Sequence, residues 1–258
     1  MPSLTELLTK NGFVAAEEEA DELLECAGGD REQLKAMVER RLTGEPLAWI
    51  TGTVSFCGIQ VNVDPGVYVP RWHSERLARR AVARLPSKGT AIDLCTGSGA
   101  IAKLLMVERG RARVLACDLD ERAVACAAAN GVAAYRGDLF AALPTALHGR
   151  VDVVVAVVPY VPTGELGLLQ RDTFKFESPL AYDGGPDGTT LLRRVVNDGR
   201  RFLRPGGTLL VELGGDQVSL LHEELVRLGY DEVRVLRDDD GDVRGIEATL
   251  NRQTGVLQ

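Results

Sequence analysis

Two periodicities divide the chain. Over the first 48 residues apolar side chains recur at helical spacing, as Leu4-Leu7-Leu8, Ala20-Leu23-Leu24 and Leu34-Met37-Val38-Leu42, and predict three short helices ended by Gly44. The acidic run Glu17-Glu18-Glu19 reads as a solvated helix face. From Trp49 to Val63 the pattern alternates at period two around a glycine, which predicts a β-hairpin, and Asp64-Pro65-Gly66 predicts a turn. Beyond residue 89 short apolar runs alternate with helical stretches, the signature of a parallel sheet with crossover helices. The predicted strands are Thr90 to Leu94, Arg113 to Cys117, Val132 to Tyr135, Val151 to Val157, Thr208 to Leu213, Asp231 to Leu236 and Ile246 to Leu250, with Arg204-Pro205-Gly206-Gly207 as a turn before the fifth.

The 258 residues, 45% hydrophobic, suffice for one large domain plus an appendage. No apolar run approaches the ~20 residues of a membrane span, and the N-terminal residues lack a signal-peptide pattern, so a cytoplasmic protein with no membrane partner is expected. Five cysteines without a C-x-x-C pair indicate neither a disulfide framework nor a metal site. A net charge of -7 is wrong for a protein that must neutralise phosphates, so no nucleic-acid partner is expected.

Candidate chemistry begins at Asp93-Leu94-Cys95-Thr96-Gly97-Ser98-Gly99, a glycine turn between a strand and a helix. A carboxylate at Asp93 disfavours a diphosphate but suits S-adenosylmethionine (SAM), which carries an ammonium and a sulfonium and no phosphate. Asp118 ends the second strand 19 residues after Gly99 and is placed to accept ribose hydroxyls, although Asp118 and Asp120 both compete to cap the next helix. Asp138 follows the third strand, where its carboxylate and neighbouring amides are placed to read an adenine edge. The predicted cofactor positions are Asp93, Cys95, Thr96, Gly97, Gly99, Asp118, Leu119, Asp138, Leu139 and Val157. Cys95 stands where such loops usually have a first glycine, so the turn must tolerate a side chain.

The fourth strand exits into Val157-Val158-Pro159-Tyr160. Here the chain resembles the HemK/PrmC family of protein glutamine N(5)-methyltransferases, which modify peptide-release factors. The resemblance covers almost the full length. It rests on the glycine turn, on Arg41-Leu42-Thr43-Gly44-Glu45-Pro46-Leu47, on Val69-Pro70-Arg71 with Glu75, and on Glu177-Ser178-Pro179-Leu180-Ala181-Tyr182-Asp183-Gly184-Gly185-Pro186-Asp187-Gly188. It implies an α/β, class I SAM-methyltransferase fold: a Rossmann-like seven-stranded sheet, a small N-terminal helical domain and a β-hairpin. The division expected is 1–48 for a substrate-selecting lid, 49–69 for a hairpin linker and 70–258 for the methyltransferase domain, in a monomer or homodimer.

The family has Asn-Pro-Pro-Tyr where this chain has Val-Val-Pro-Tyr, and roughly Pro-Arg-Pro-Glu-Thr-Glu where this chain has Pro70-Arg71-Trp72-His73-Ser74-Glu75. In the family the asparagine oxygen and the next carbonyl accept the two N–H bonds of a planar NH2. Valine offers no acceptor, which leaves the Val158 carbonyl, with Pro159 and Tyr160, as the predicted catalytic turn. Loss of the asparagine argues for a changed acceptor. A guanidinium needs carboxylates to bind it and withdraw a proton, and Glu75, Glu165, Glu177 and Asp183 or Asp187 offer acids. With Arg71 and Trp72, the glutamates are the predicted substrate-binding residues. Relatives with x-Val-Pro-Tyr include N-methyltransferases of free arginine, so the guanidine of L-arginine or a similar small molecule is the first expectation. The alternatives are a release-factor glutamine and a SAM-binding paralogue without turnover.

Overall fold

The computed structural model describes residues 3–169 and 173–252. Helices α1 (Leu4–Lys10), α2 (Ala16–Ala27) and α3 (Arg31–Leu42) answer the three predicted segments and share a small core of Leu8, Ala20, Leu23, Met37 and Ile50. Ser3 caps α1 in a reciprocal box with Glu6, and Asp30 caps α3. One boundary differs from the alternating pattern. Residues Leu47–Thr51 form a short helix, α4, entered from Pro46 and ended by Gly52 at φ 82°. Trp49 and Ile50 therefore belong to a helix and not to the hairpin, and the Trp49 indole donates to the Val67 carbonyl at 2.9 Å. The hairpin itself is β1 (Thr53–Phe56) and β2 (Ile59–Asn62).

A three-residue turn of 3-10 helix at Trp72–Ser74 leads into α5 (Glu75–Arg84). The chain then alternates through β3 (Thr90–Leu94), α6 (Ala100–Glu108), β4 (Arg113–Asp118), α7 (Glu121–Ala129), β5 (Ala134–Arg136) and β6 (Val151–Ala156). After the four-residue α8 (Thr173–Phe176) come α9 (Thr190–Phe202), β7 (Leu203–Glu212), α10 (Gln217–Arg227), β8 (Tyr230–Arg237) and β9 (Val243–Leu250). All seven predicted sheet strands are present, in the order β5-β4-β3-β6-β7-β9-β8, with β9 antiparallel to both neighbours.

The Arg204-Pro205-Gly206-Gly207 segment lies inside β7 and not before it. Leu203 pairs with Val151 and Thr208 with Val153, so the segment bulges out of the ladder, where Pro205 has no N–H to donate and Gly206 takes φ 77°. Apolar clusters cover both sheet faces, one including Ile92, Val154, Leu192 and Leu209, the other Leu77, Ala91, Leu104 and Val155. Glu247 of β9 is buried but bridged by Arg80 and Arg84 of α5, which ties that helix to the sheet.

The chain moves outward from β3 to β5 and then returns to β6 on the other side of β3. That reversal opens a crevice at the carboxyl ends of β3 and β6, the place where open α/β sheets bind ligands.

Candidate active site

A cavity of about 740 Å³ occupies this crevice. Its walls include Asp93, Cys95, Thr96, Gly97, Asp118, Leu119, Asp138, Leu139 and Val157, nine of the ten predicted cofactor positions. Gly99 is not among them. A Cβ there would lie 3.0 Å from Ala127 Cβ and 3.1 Å from Val132 Cγ2, so this glycine lets α6 pack against α7 and does not face the ligand.

Asp93, at the tip of β3, is buried and turned largely into its own loop: Oδ2 accepts from the Thr96 hydroxyl at 2.6 Å and from the Ala102 N–H at 3.1 Å. Burial pushes its carboxyl up to about 7, against the pull of those two donors. Cys95 sits at φ 54°, in the left-handed region, so the side chain predicted to strain the turn does occupy a glycine-like conformation. Asp118 accepts from the Gly97 N–H at 2.9 Å and the Asp120 N–H at 3.0 Å, and burial raises its pKa. Asp120 caps α7 by accepting from Arg122 N–H, which settles the competition for the cap and leaves Asp118 at the cavity wall. Asp138 is half-exposed and pairs with Arg194 of α9 at 2.8 Å.

The residues fit SAM. Asp93, Asp118 and Asp138 border a site for a cationic, phosphate-free ligand, and the buried Ser98 Oγ in the glycine turn has no hydrogen-bond partner. Asp118 retains lone pairs for ribose hydroxyls.

At the other end of the cavity lie Tyr68, Arg71, Trp72, His73, Val158, Pro159, Tyr160, Glu177, Leu180 and Tyr182. The turn after β6 is braced from behind. Gln217 Nε2 donates to the Tyr160 carbonyl at 2.7 Å, and the Gly184 N–H donates to the Val161 carbonyl at 2.8 Å. A Cβ at Gly184 would lie 2.7 Å from Tyr160 Cα, so the glycine-rich segment is glycine-rich because it presses on this turn. No donor among the described residues reaches the Val158 carbonyl.

The predicted acidic mouth is only partly assembled. Glu177 lines the cavity, but Val69 N–H, Arg71 (2.5 Å) and the Tyr182 hydroxyl already hold its carboxylate. Glu75 faces away, accepting from Cys57 N–H at 2.8 Å and pairing with Arg79. Glu165 is exposed on a 3-10 turn outside the cavity. Asp183 accepts from Thr163 and Gly185, Asp187 from Thr189, and neither lines the cavity. Asp183 and Asp187 bond within or beside their own turns, and Glu75 and Glu177 are claimed by distant partners, which spacing alone could not reveal.

Three contributors escaped the sequence reading. Tyr68 and Tyr182 meet edge to face at 5.7 Å between ring centroids, with Arg71 over the Tyr68 ring. Burial lifts the Tyr68 hydroxyl to about 12. Glu212, at the tip of β7, is buried and accepts from the Tyr160 hydroxyl at 3.0 Å. Its signal was available, since it is a fourth acid at a strand's carboxyl end.

No protein-family model matches the chain. It is 34% identical over 227 residues to the release factor glutamine methyltransferase of Geobacter sulfurreducens, covering 86% of this chain and 76% of that protein. It is 37% identical over 193 residues to the 4-amino-L-phenylalanine/4-methylamino-L-phenylalanine methyltransferase of Streptomyces pristinaespiralis, covering 70% and 65%. Among solved structures, a 16S rRNA N2 methyltransferase of T. thermophilus in complex with AdoMet and guanosine superposes with a TM-score of 0.51 at 19% identity, covering 80% of this chain and 46% of that one, a likeness of fold.

Proposed function

The chain belongs to the HemK/PrmC family of release factor glutamine methyltransferases, and from that premise we propose that its acceptor is a neutral planar side-chain nitrogen, first among them the glutamine amide of a peptide-release factor. It is a SAM-dependent N-methyltransferase. When bound, SAM supplies an activated methyl on a sulfonium; the protein's work is then positioning and exclusion of water. Asp118 and Asp138 would hold the nucleoside, and Thr96, Gly97 and Ser98 the loop side of the ligand.

The observation that carries the reading is the state of the carboxylates at the acceptor end. A guanidinium would need acids free to pair with it, and among the described residues lining that end Glu177 is already committed to Arg71 and Tyr182. A neutral NH2 needs only acceptors, and the Val158 carbonyl is unclaimed. Free arginine, the first expectation from sequence, therefore falls behind the amide. An arylamine of an amino acid is the second reading, supported by the walls of Tyr68, Tyr160, Tyr182 and Trp72 and by the Streptomyces pristinaespiralis relative.

The test offers methyl-labelled SAM with release factor, free L-arginine and 4-amino-L-phenylalanine in parallel. Label on the release-factor glutamine is expected. Label confined to arginine or to the arylamine overturns the assignment.

A further inference from the structure

Behind the acceptor turn lies a pair of groups that the family resemblance does not supply. His73 lies in the 3-10 turn Trp72–Ser74 that leads into α5. It lines the acceptor end of the cavity with 22% of its side chain exposed. Its Nε2 lies 3.3 Å from Glu212 Oε1, an ion-pair contact without the alignment of a hydrogen bond. The same Oε1 accepts from the Tyr160 hydroxyl, while Oε2 is sealed from solvent without a hydrogen-bond partner. A buried carboxylate so poorly satisfied is costly, and the cost is recovered where it can hold a neighbouring proton donor.

We propose that His73 is a catalytic base for methyl transfer and that Glu212 is the positioning residue that orients it. In the proposed dyad the ring turns its Nε2–H onto Glu212 and presents Nδ1 as the free acceptor, and no donor among the described residues occupies Nδ1. Methylation of a neutral NH2 leaves one proton too many on nitrogen. The N–C bond forms as the C–S bond breaks with its electron pair remaining on sulfur, and the surplus N–H proton passes to His73 Nδ1. Glu212 then faces an imidazolium, and the partly exposed ring returns the proton to water. Tyr160 keeps its own proton throughout, since burial and Glu212 hold its hydroxyl far above neutrality. The other groups facing the pair are Tyr68, whose hydroxyl is also held protonated, and Arg244 of β9, which covers Trp72 with its guanidinium 5.7 Å from the ring centroid.

The inference deepens the neutral-acceptor reading but is tested first without any acceptor. Ring nitrogen NMR of the SAM-bound protein should show His73 protonated at Nε2 and bare at Nδ1, with that tautomer losing its dominance in Glu212→Gln. A ring carrying its proton on Nδ1 in the unsubstituted protein overturns the dyad whatever the substrate. The kinetic arm uses whichever acceptor takes label. His73→Ala should lower kcat by about 100-fold with SAM affinity kept within about twofold, and recover with added imidazole. Glu212→Gln should lower kcat by about 10-fold through His73. A His73→Ala variant retaining more than half of kcat overturns the base assignment. If the release factor stays unlabelled while Nε2 carries the proton, the acceptor assignment fails and the dyad stands.

Discussion

Asp93 is sealed beneath the glycine turn, and its carboxyl is raised from 3.8 to about 7 by burial. Replacing it by asparagine keeps an oxygen for both the Thr96 hydroxyl and the Ala102 N–H, yet removes the ionisation. Below pH 3.8 both the folded and the unfolded chain hold the proton, and the carboxyl costs nothing. Between 3.8 and about 7 the unfolded chain ionises while the folded one stays protonated, so stability falls as pH rises; above 7 the whole cost is in place. At about 1.4 kcal/mol per pH unit the span amounts to about 4 kcal/mol. Urea unfolding of both proteins without SAM, at steps from pH 5 to 8, is the measurement. The advantage of Asp93→Asn should widen by about 1.4 kcal/mol per pH unit up to pH 7 and then level off. Any constant offset from the changed side chain cancels in that slope. Parallel stability curves would refute the burial argument.

Two further outcomes follow from the site. Cys95→Gly relieves a left-handed residue at about 1–2 kcal/mol, less about 0.5–1 kcal/mol for the added freedom of glycine when unfolded, so the melting temperature should rise by about 1–4 °C; a fall in melting temperature would show that Sγ packing dominates. Val157→Asn restores an acceptor beside the Val158 carbonyl and should raise kcat/KM for the release-factor amide by about tenfold, the worth of about 1.4 kcal/mol. A decrease would mean that the acceptor is not an amide.

Much of the fold was readable because burial imposes a period. Thr90 to Leu94 has the predicted bounds, and the remaining six sheet strands shift by a few residues at their ends. The errors occur where pattern and packing disagree. Trp49 and Ile50 alternate like strand residues but close a one-turn helix whose indole is claimed by Val67. The Arg204 to Gly207 segment is turn-like in composition, yet the ladder continues on both sides of it.

Sequence alone picked out the residues that we propose hold the donor. Asp93 and Asp118 lie at the carboxyl ends of their strands and Asp138 just beyond its own, and in a parallel sheet all such positions share one edge, so linear spacing implies spatial convergence. It also exposed the loss of the asparagine at Val157. Only the tertiary structure decided which acids are free. Glu75, Glu165, Asp183 and Asp187 are alike in sequence, and hydrogen bonds within their own turns or distance from the cavity remove them from it. The meeting of His73 with Glu212, across 139 positions of chain, depends on β7 lying beside β6 and on the 3-10 turn after the hairpin folding over both. Side-chain commitment is a property of three-dimensional neighbours, and no periodicity records it.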